Sequence, residues 1–169
     1  GPNDNRHHIA HIQVIHPEDL PRFAALGVVA NCQPLWACND PQMVDLTIPF
    51  LGPERSAWQY PFESLRRSGA RLAFGSDWSV SSPDPLLEMD IAVNRSEANG
   101  DPEPLLSHER VALEDAIEAF TMGSAYVNHL DDVTGTLEVV KFADLALLDR
   151  DLFDRGAGAI GQARVVGTF

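Results

Sequence analysis

His11, Gln33 and Asp77 each sit at the carboxyl end of a run of β-branched and apolar residues, or within that run. Imidazole and carboxylate are the usual ligands of zinc and similar divalent metals. A carboxylate in the position of Asp77 can also act as general base toward an activated water. Strand alternation predicts one shared face for His7, Ile9, His11 and Gln13. Gln33 and Trp78 are candidate substrate contacts, and Trp36 is a candidate pocket wall. Each has a plain structural alternative. A strand histidine can be held by packing, and an aspartate after Gly75-Ser76 can simply form a turn. His16 precedes Pro17 and suits a helix cap, whereas His7, His8, His108 and His129 read as surface residues. Cys32 and Cys38 have neither a common zinc spacing nor the numbers for a disulfide framework, so they read as two buried thiols. Ser76 has no partner base in a triad pattern, and no phosphate-binding glycine loop is present.

The elements that must position these groups can be read in order. Residues 8–15 and 28–33 predict strands, with a short helix between Pro17 and Gly27. Residues 35–52 show little periodicity and read as a loop. A helix fits Glu54 to Arg67, broken near Pro61, and a third strand fits Arg71 to Asp77. Strand, helix, strand, helix, strand implies parallel pairing through right-handed crossovers, an α/β fold. In such folds ligands collect at the carboxyl ends of strands. A helix is expected from Leu86 to Asn94, a surface loop from Ser96 to Pro104, and helix from Ser107 to Val127 with a break near Gly123. Short strands are expected at 135–138, 144–149 and 162–169.

Composition excludes several classes. The 169 residues carry 12 Lys+Arg against 25 Asp+Glu, a formal net charge of −13. Nucleic-acid binding through phosphates needs clustered cations, so no nucleic-acid partner is expected. No apolar run reaches the roughly 18 residues of a membrane span. Apolar residues make up 44% of the chain, enough for a buried core. Two cysteines suit a reducing compartment, and a cytoplasmic location is expected. The chain opens Gly1-Pro2-Asn3 without methionine and closes on the strand-like Val165 to Phe169, so a segment of a longer protein is expected.

Residues 6–23, Arg-His-His-Ile-Ala-His-Ile-Gln-Val-Ile-His-Pro-Glu-Asp-Leu-Pro-Arg-Phe, resemble a signature of the amidohydrolase superfamily. The closer likeness is to the YtcJ-like branch of amidohydrolase family 3, which includes N-substituted formamide deformylase. Residues 71–85 look like that branch's Gly-Ser-Asp segment and its following Asp-Pro-Leu. Residues 120–153 look like its closing region. The resemblance implies a partial (β/α)8 TIM barrel, strands six to eight, within residues 1–130, and part of a small β-sandwich within 131–169. It implies hydrolysis of amide-type C–N bonds in a small-molecule substrate through a divalent metal, zinc being expected. His11 matches the metal-binding histidine of strand six. Asp77 matches the strand-eight aspartate that contacts the metal and shuttles the proton.

The departures are equally informative. The family's His-x-His pair, its bridging Lys or Glu and its strand-five histidine have no counterpart here, and Ala10 stands where relatives often carry Glu. A whole barrel needs about 250 residues. The isolated segment is therefore expected to bind metal weakly or not at all and to be inactive, with the full-length parent the enzyme. It is also expected to pair with another copy or with the missing barrel half, because cut sheets leave open edges. The alternative is a non-catalytic amidohydrolase-like binding or assembly module.

Overall fold

His16 starts the first helical segment. Its Nδ1 accepts the Glu18 backbone N–H at 3.4 Å, and Pro17 fills a first-turn position where a missing N–H costs nothing. The 3-10 turn Pro17–Asp19 runs into α1 (Leu20–Leu26). Gly27, at φ 64, closes that helix in the left-handed region. The structure, a computed structural model, describes residues 3–97, 103–153 and 157–169.

Three short strands, β1 (His8–Ala10), β2 (Val29–Cys32) and β3 (Leu72–Phe74), form a parallel sheet in chain order. Ala10 lies opposite Asn31, and Cys32 opposite Phe74. The α/β expectation therefore holds for this sheet. β3 is wholly buried, and β1 is an exposed edge. Each strand is shorter than expected. β1 stops at Ala10 because His11 (φ 66) and Ile12 (φ 50) turn left-handed, which ends any extended run. The predicted common face of His7, Ile9, His11 and Gln13 therefore does not form.

The expected loop at 35–52 is largely helical instead. It holds a 3-10 turn (Pro34–Trp36), a π turn (Gln42–Thr47) and the first turn of α2 (Ile48–Ser56), a helix kinked at Gly52, whose φ is 72. Its prolines start helical turns rather than break them, the position where proline is tolerated. Asp40 helps, since its Oδ1 accepts the Met43 N–H at 2.6 Å. The predicted helix from Glu54 to Arg67 is two pieces: α2 ends at Ser56, and α3 spans Phe62–Arg67 just after Pro61. α4 (Pro85–Asn94) is capped by Asp84, whose Oδ1 accepts the Leu86 N–H at 2.9 Å. Residues 98–102 of the expected surface loop lie outside the described residues.

The helix expected from Ser107 to Val127 is interrupted at 110–112, after a 3-10 turn at Ser107–Glu109, and not at Gly123. α5 (Leu113–Glu118), a π turn (Ala119–Gly123) and α6 (Ser124–Val127) run on continuously, with Gly123 at φ −60. Here glycine permits close approach: a Cβ would overlap the Leu72 carbonyl oxygen and lie 3.1 Å from the Ala73 Cα. The strand expected at 135–138 is also absent. Gly135 turns left-handed at φ 90 against α6, and Lys141 Nζ donates to Thr136 Oγ1 at 2.7 Å, curling the segment into turns. β4 (Ala146–Leu148) and β5 (Val165–Thr168) pair antiparallel, within the two remaining expected strands.

Phe62 packs tilted against Phe74 at a centroid distance of 5.4 Å, and Phe74 meets Phe120 edge-on at 5.5 Å. Leu152, Ile160 and Ala163 join the same buried cluster from the carboxyl-terminal segment. Arg95 is fully buried and spends its guanidinium on backbone carbonyls, donating to Leu105 O at 2.8 Å, Tyr60 O at 2.9 Å and Gln59 O at 3.3 Å. Burial lowers its pKa to about 10, with Glu109 opposing, so it stays charged at neutral pH. Arg6 donates to Tyr126 O at 2.7 Å and pairs with Asp131, tying the lead-in of β1 to the end of α6. Apolar residues at the carboxyl end stay uncovered: Leu137, Val139, Val140, Phe142 and Phe169 are all exposed. Among the described residues no helix is long and apolar enough to cross a membrane.

Gly123→Ala should lower stability by about 1–3 kcal/mol, the usual cost of forcing atoms into a filled contact. Urea unfolding measures it, and an unchanged midpoint would show that the π turn can move off β3.

Candidate active-site cleft at the strand ends

The left-handed turn after β1 takes His11 out of the sheet. Its backbone N–H donates to Asn31 O at 2.9 Å and to Gln33 Oε1 at 2.8 Å. Ile12 N–H donates back to Ala10 O at 2.8 Å, closing a tight turn. β3 ends in a similar way. Gly75 N–H pairs with Cys32 O at 3.1 Å, and then the chain turns at Asp77, φ 60, whose carbonyl accepts the Val80 N–H at 2.8 Å. Parallel strands end on one side of a sheet, so both turns deliver their side chains to the same end. His11 and Asp77 line one cleft of about 320 Å³.

The cleft is completed by groups that the sequence did not single out, among them Asp40, Gln42 and Tyr60, and by Gln13, which it did. Asp40 and Gln42 come from the segment after β2, Tyr60 from the bend between α2 and α3, and Gln13 from the segment after β1. Asp40 carried a weak signal, an acid just before a proline. Tyr60 carried none, because its place depends on Arg95 holding the Gln59–Tyr60 carbonyls. Trp36 lines the cleft, as expected of a pocket wall. Gln33 is not among the lining residues. It is 6% exposed, and its amide is engaged with His11 and Asn31. Trp78 lies outside the lining and is 68% exposed, with its backbone N–H on Ser76 Oγ at 3.2 Å. His16 caps a helix, and His7 and His8 are exposed.

The electrostatics separate the groups that can react from those that cannot. Burial, reinforced by the charge of Asp40, holds the Tyr60 phenol above its ordinary value, so it remains a proton donor. Burial pushes both thiols, Cys32 and Cys38, up to about 12, so they stay protonated at neutral pH. Glu88, on the buried face of α4, is fully enclosed. Neither carboxyl oxygen reaches hydrogen-bond geometry with a described partner. Burial first, then Asp84 and Asp77, push it up to about 8 against the opposing pull of the Leu35 backbone amide.

The donor types fit part of a metal site. An imidazole and a carboxylate are two of the three protein ligands a catalytic zinc takes. Among the described residues no group of three His, Cys, Asp or Glu side chains could hold a metal ion. His11 and Asp77 therefore form an incomplete donor set.

A sequence model of the Amidohydrolase family matches residues 1–169. Protein LONG AFTER FAR-RED 3 of Arabidopsis thaliana is 34% identical over 170 residues, covering 100% of this chain and 28% of that protein. N-substituted formamide deformylase of Arthrobacter pascens is 29% identical over 110 residues, covering 65% of this chain and 20% of that enzyme. The crystal structure of an uncharacterized metal-dependent hydrolase from Pyrococcus horikoshii superposes with a TM-score of 0.68 at 31% identity, over 80% of this chain and 27% of that one. The chain thus spans less than a third of the length of each of these proteins.

The buried Glu88 makes stability pH-dependent. Its folded value of about 8 lies above the ordinary 4.5. The unfolded chain therefore loses this proton first as pH rises, and stability falls between those two values. Glu88→Gln should flatten that fall and leave the variant more stable than wild type at pH 8, by on the order of 3 kcal/mol. Urea midpoints at pH 5, 6.5 and 8 check this; parallel curves for the two proteins would refute it.

Proposed function

The chain belongs to the amidohydrolase family, and from that premise we propose that it is the carboxyl-terminal segment of a metal-dependent hydrolase of amide-type carbon–nitrogen bonds. The observation that carries the reading is the convergence of His11 and Asp77, from different strands, on one cleft. The likeness to N-substituted formamide deformylase supports the bond type. In this reading residues 1–130 carry barrel strands six to eight, and 131–169 contribute to a small β-sandwich. The exposed β1 edge and the uncovered apolar residues from Leu137 to Phe142 support its working within a larger assembly, against another copy or the remaining barrel. Two free thiols support a reducing, cytoplasmic setting.

The roles follow from chemistry. His11 offers an imidazole nitrogen to a divalent metal, with zinc the proposed ion, and Asp77 offers a carboxylate oxygen. The metal, when bound, supplies the Lewis acidity that activates water and polarises a carbonyl. Asp77 takes the proton from the attacking water and returns it to the departing amine. Tyr60, held protonated, donates a hydrogen bond to the substrate, and the exposed indole of Trp78 offers it an apolar contact. Ligands from the rest of the polypeptide complete the donor set in the full-length protein, and the isolated segment binds metal weakly and is inactive. A second reading, a non-catalytic module of the same fold, is favoured by one observation: the described residues hold no complete three-ligand group.

The full-length polypeptide, loaded with zinc and offered N-formyl and N-acyl amines, should release free amine. Asp77→Asn should lower kcat by about 10²–10⁴-fold, the range for losing a general acid–base group, while keeping its zinc content above that of His11→Ala. A zinc-loaded protein that hydrolyses none of these amides would favour the module reading, and an Asp77→Asn variant with wild-type kcat would overturn the proton-shuttling role of Asp77.

A further inference from the structure

The Gln33 side chain is a link in a chain of hydrogen bonds that ends on the backbone of His11. Its Oε1 accepts the His11 N–H at 2.8 Å, and its Nε2 donates to Asn31 Oδ1 at 3.0 Å. Asn31 Nδ2 lies 2.9 Å from His8 Nδ1. The chain therefore runs from the His8 ring on β1, through two amides of the β2 segment, back to the residue that follows β1. Its buried member is Gln33, 6% exposed.

The end point of this chain is unusual. His11 and Ile12 are consecutive non-glycine residues in the left-handed region, at φ 66 and 50. Side chains disfavour that conformation, and it persists only where neighbours over-determine it. The pairing of His11 N–H with Asn31 O at 2.9 Å is what an ordinary continuing parallel ladder would also supply. The bond from Gln33 Oε1 is additional. It meets the same N–H from a side chain, at the point where the backbone departs from the sheet. Without the turn, β1 would continue extended, and successive residues would alternate across its faces.

We propose that Gln33 is a positioning residue for His11, its amide holding the left-handed turn that presents the imidazole to the Asp77 cleft. This rests on the reading of His11 as a metal ligand. The mechanism is one of population. Metal binds only the conformer with the turn formed, so apparent affinity scales with the fraction of protein in that conformer. Gln33→Met keeps the length of the side chain and removes both hydrogen bonds. Gln33→Glu keeps an acceptor for His11 N–H and loses the donor to Asn31.

The test titrates the metal-free full-length protein with Zn²⁺, and with Co²⁺ followed by its visible absorption, beside His11→Ala. Gln33→Met should weaken both metals by about 10–100-fold, the range for removing a group that orients a ligand, without changing the unfolding midpoint of the metal-free protein by as much. Gln33→Glu should recover most of the loss. Wild-type affinity in Gln33→Met, with metal lost in His11→Ala, would overturn the positioning role and leave the functional reading standing. Wild-type affinity in His11→Ala would overturn both. If Gln33→Met does not fold, Gln33→Ala, which also lacks the acceptor, decides: a loss of metal affinity that Gln33→Glu recovers supports the proposal, and wild-type affinity overturns it.

Discussion

Parallel pairing of three short strands is the constraint from which the rest of the chain follows. Parallel strands must be joined by crossovers, and each crossover needs a covering element. α1 supplies the first, and the run from Pro34 to Arg67 supplies the second. Pairing in this sense also brings every strand's carboxyl end to one side. The register, Ala10 beside Asn31 and Cys32 beside Phe74, sets how far each following residue projects. His11 and Asp77 reach a common cleft because both chains leave the sheet by left-handed turns at that edge.

The walls of the cleft depend on polar groups that water never sees. Arg95 is the clearest case. It gathers three backbone carbonyls and lies over the Phe62 ring at 5.0 Å, so the Gln59–Phe62 bend is anchored from inside. Tyr60 owes its place to that anchor. A buried guanidinium is tolerable only when its donors are used, and here the carbonyls of an irregular bend use them. α4, which carries Arg95 at its end, also buries Glu88, whose pKa burial raises to about 8.

Much of this was legible in the chain, and the rest was hidden for physical reasons. Pro17, the acids after it and Gly27 marked α1 correctly, because caps and breakers act locally. Strand order was legible from alternation with helices. Strand length was not, since the turns at His11 and Asp77 carry no glycine to announce a positive φ. Prolines at 41 and 49 read as loop, although proline at the first turn of a helix is also favourable. Gly123 read as a break, but its hydrogen side chain answers to a neighbouring strand, which no local window contains. That His11 and Asp77 would share a cleft was legible from their places at strand ends. Asp40 and Tyr60 were missed because tertiary contacts place them. Gln33 was singled out for the right neighbourhood, and its bonds point inward to His11.

The clamp between the two ends of the segment has a consequence for synthesis. Arg6 is held by Tyr126 O and Asp131, residues more than a hundred positions downstream, and the Tyr126 ring lies between Arg6 at 4.2 Å and Arg71 at 4.0 Å. A ribosome adding about 5–20 residues per second needs roughly ten seconds to travel that far. Throughout that interval β1 can pair with β2 and β3 can join them, but β1 lacks this clamp. Within this segment the lead-in to β1 is thus tied down only once the chain has reached Asp131.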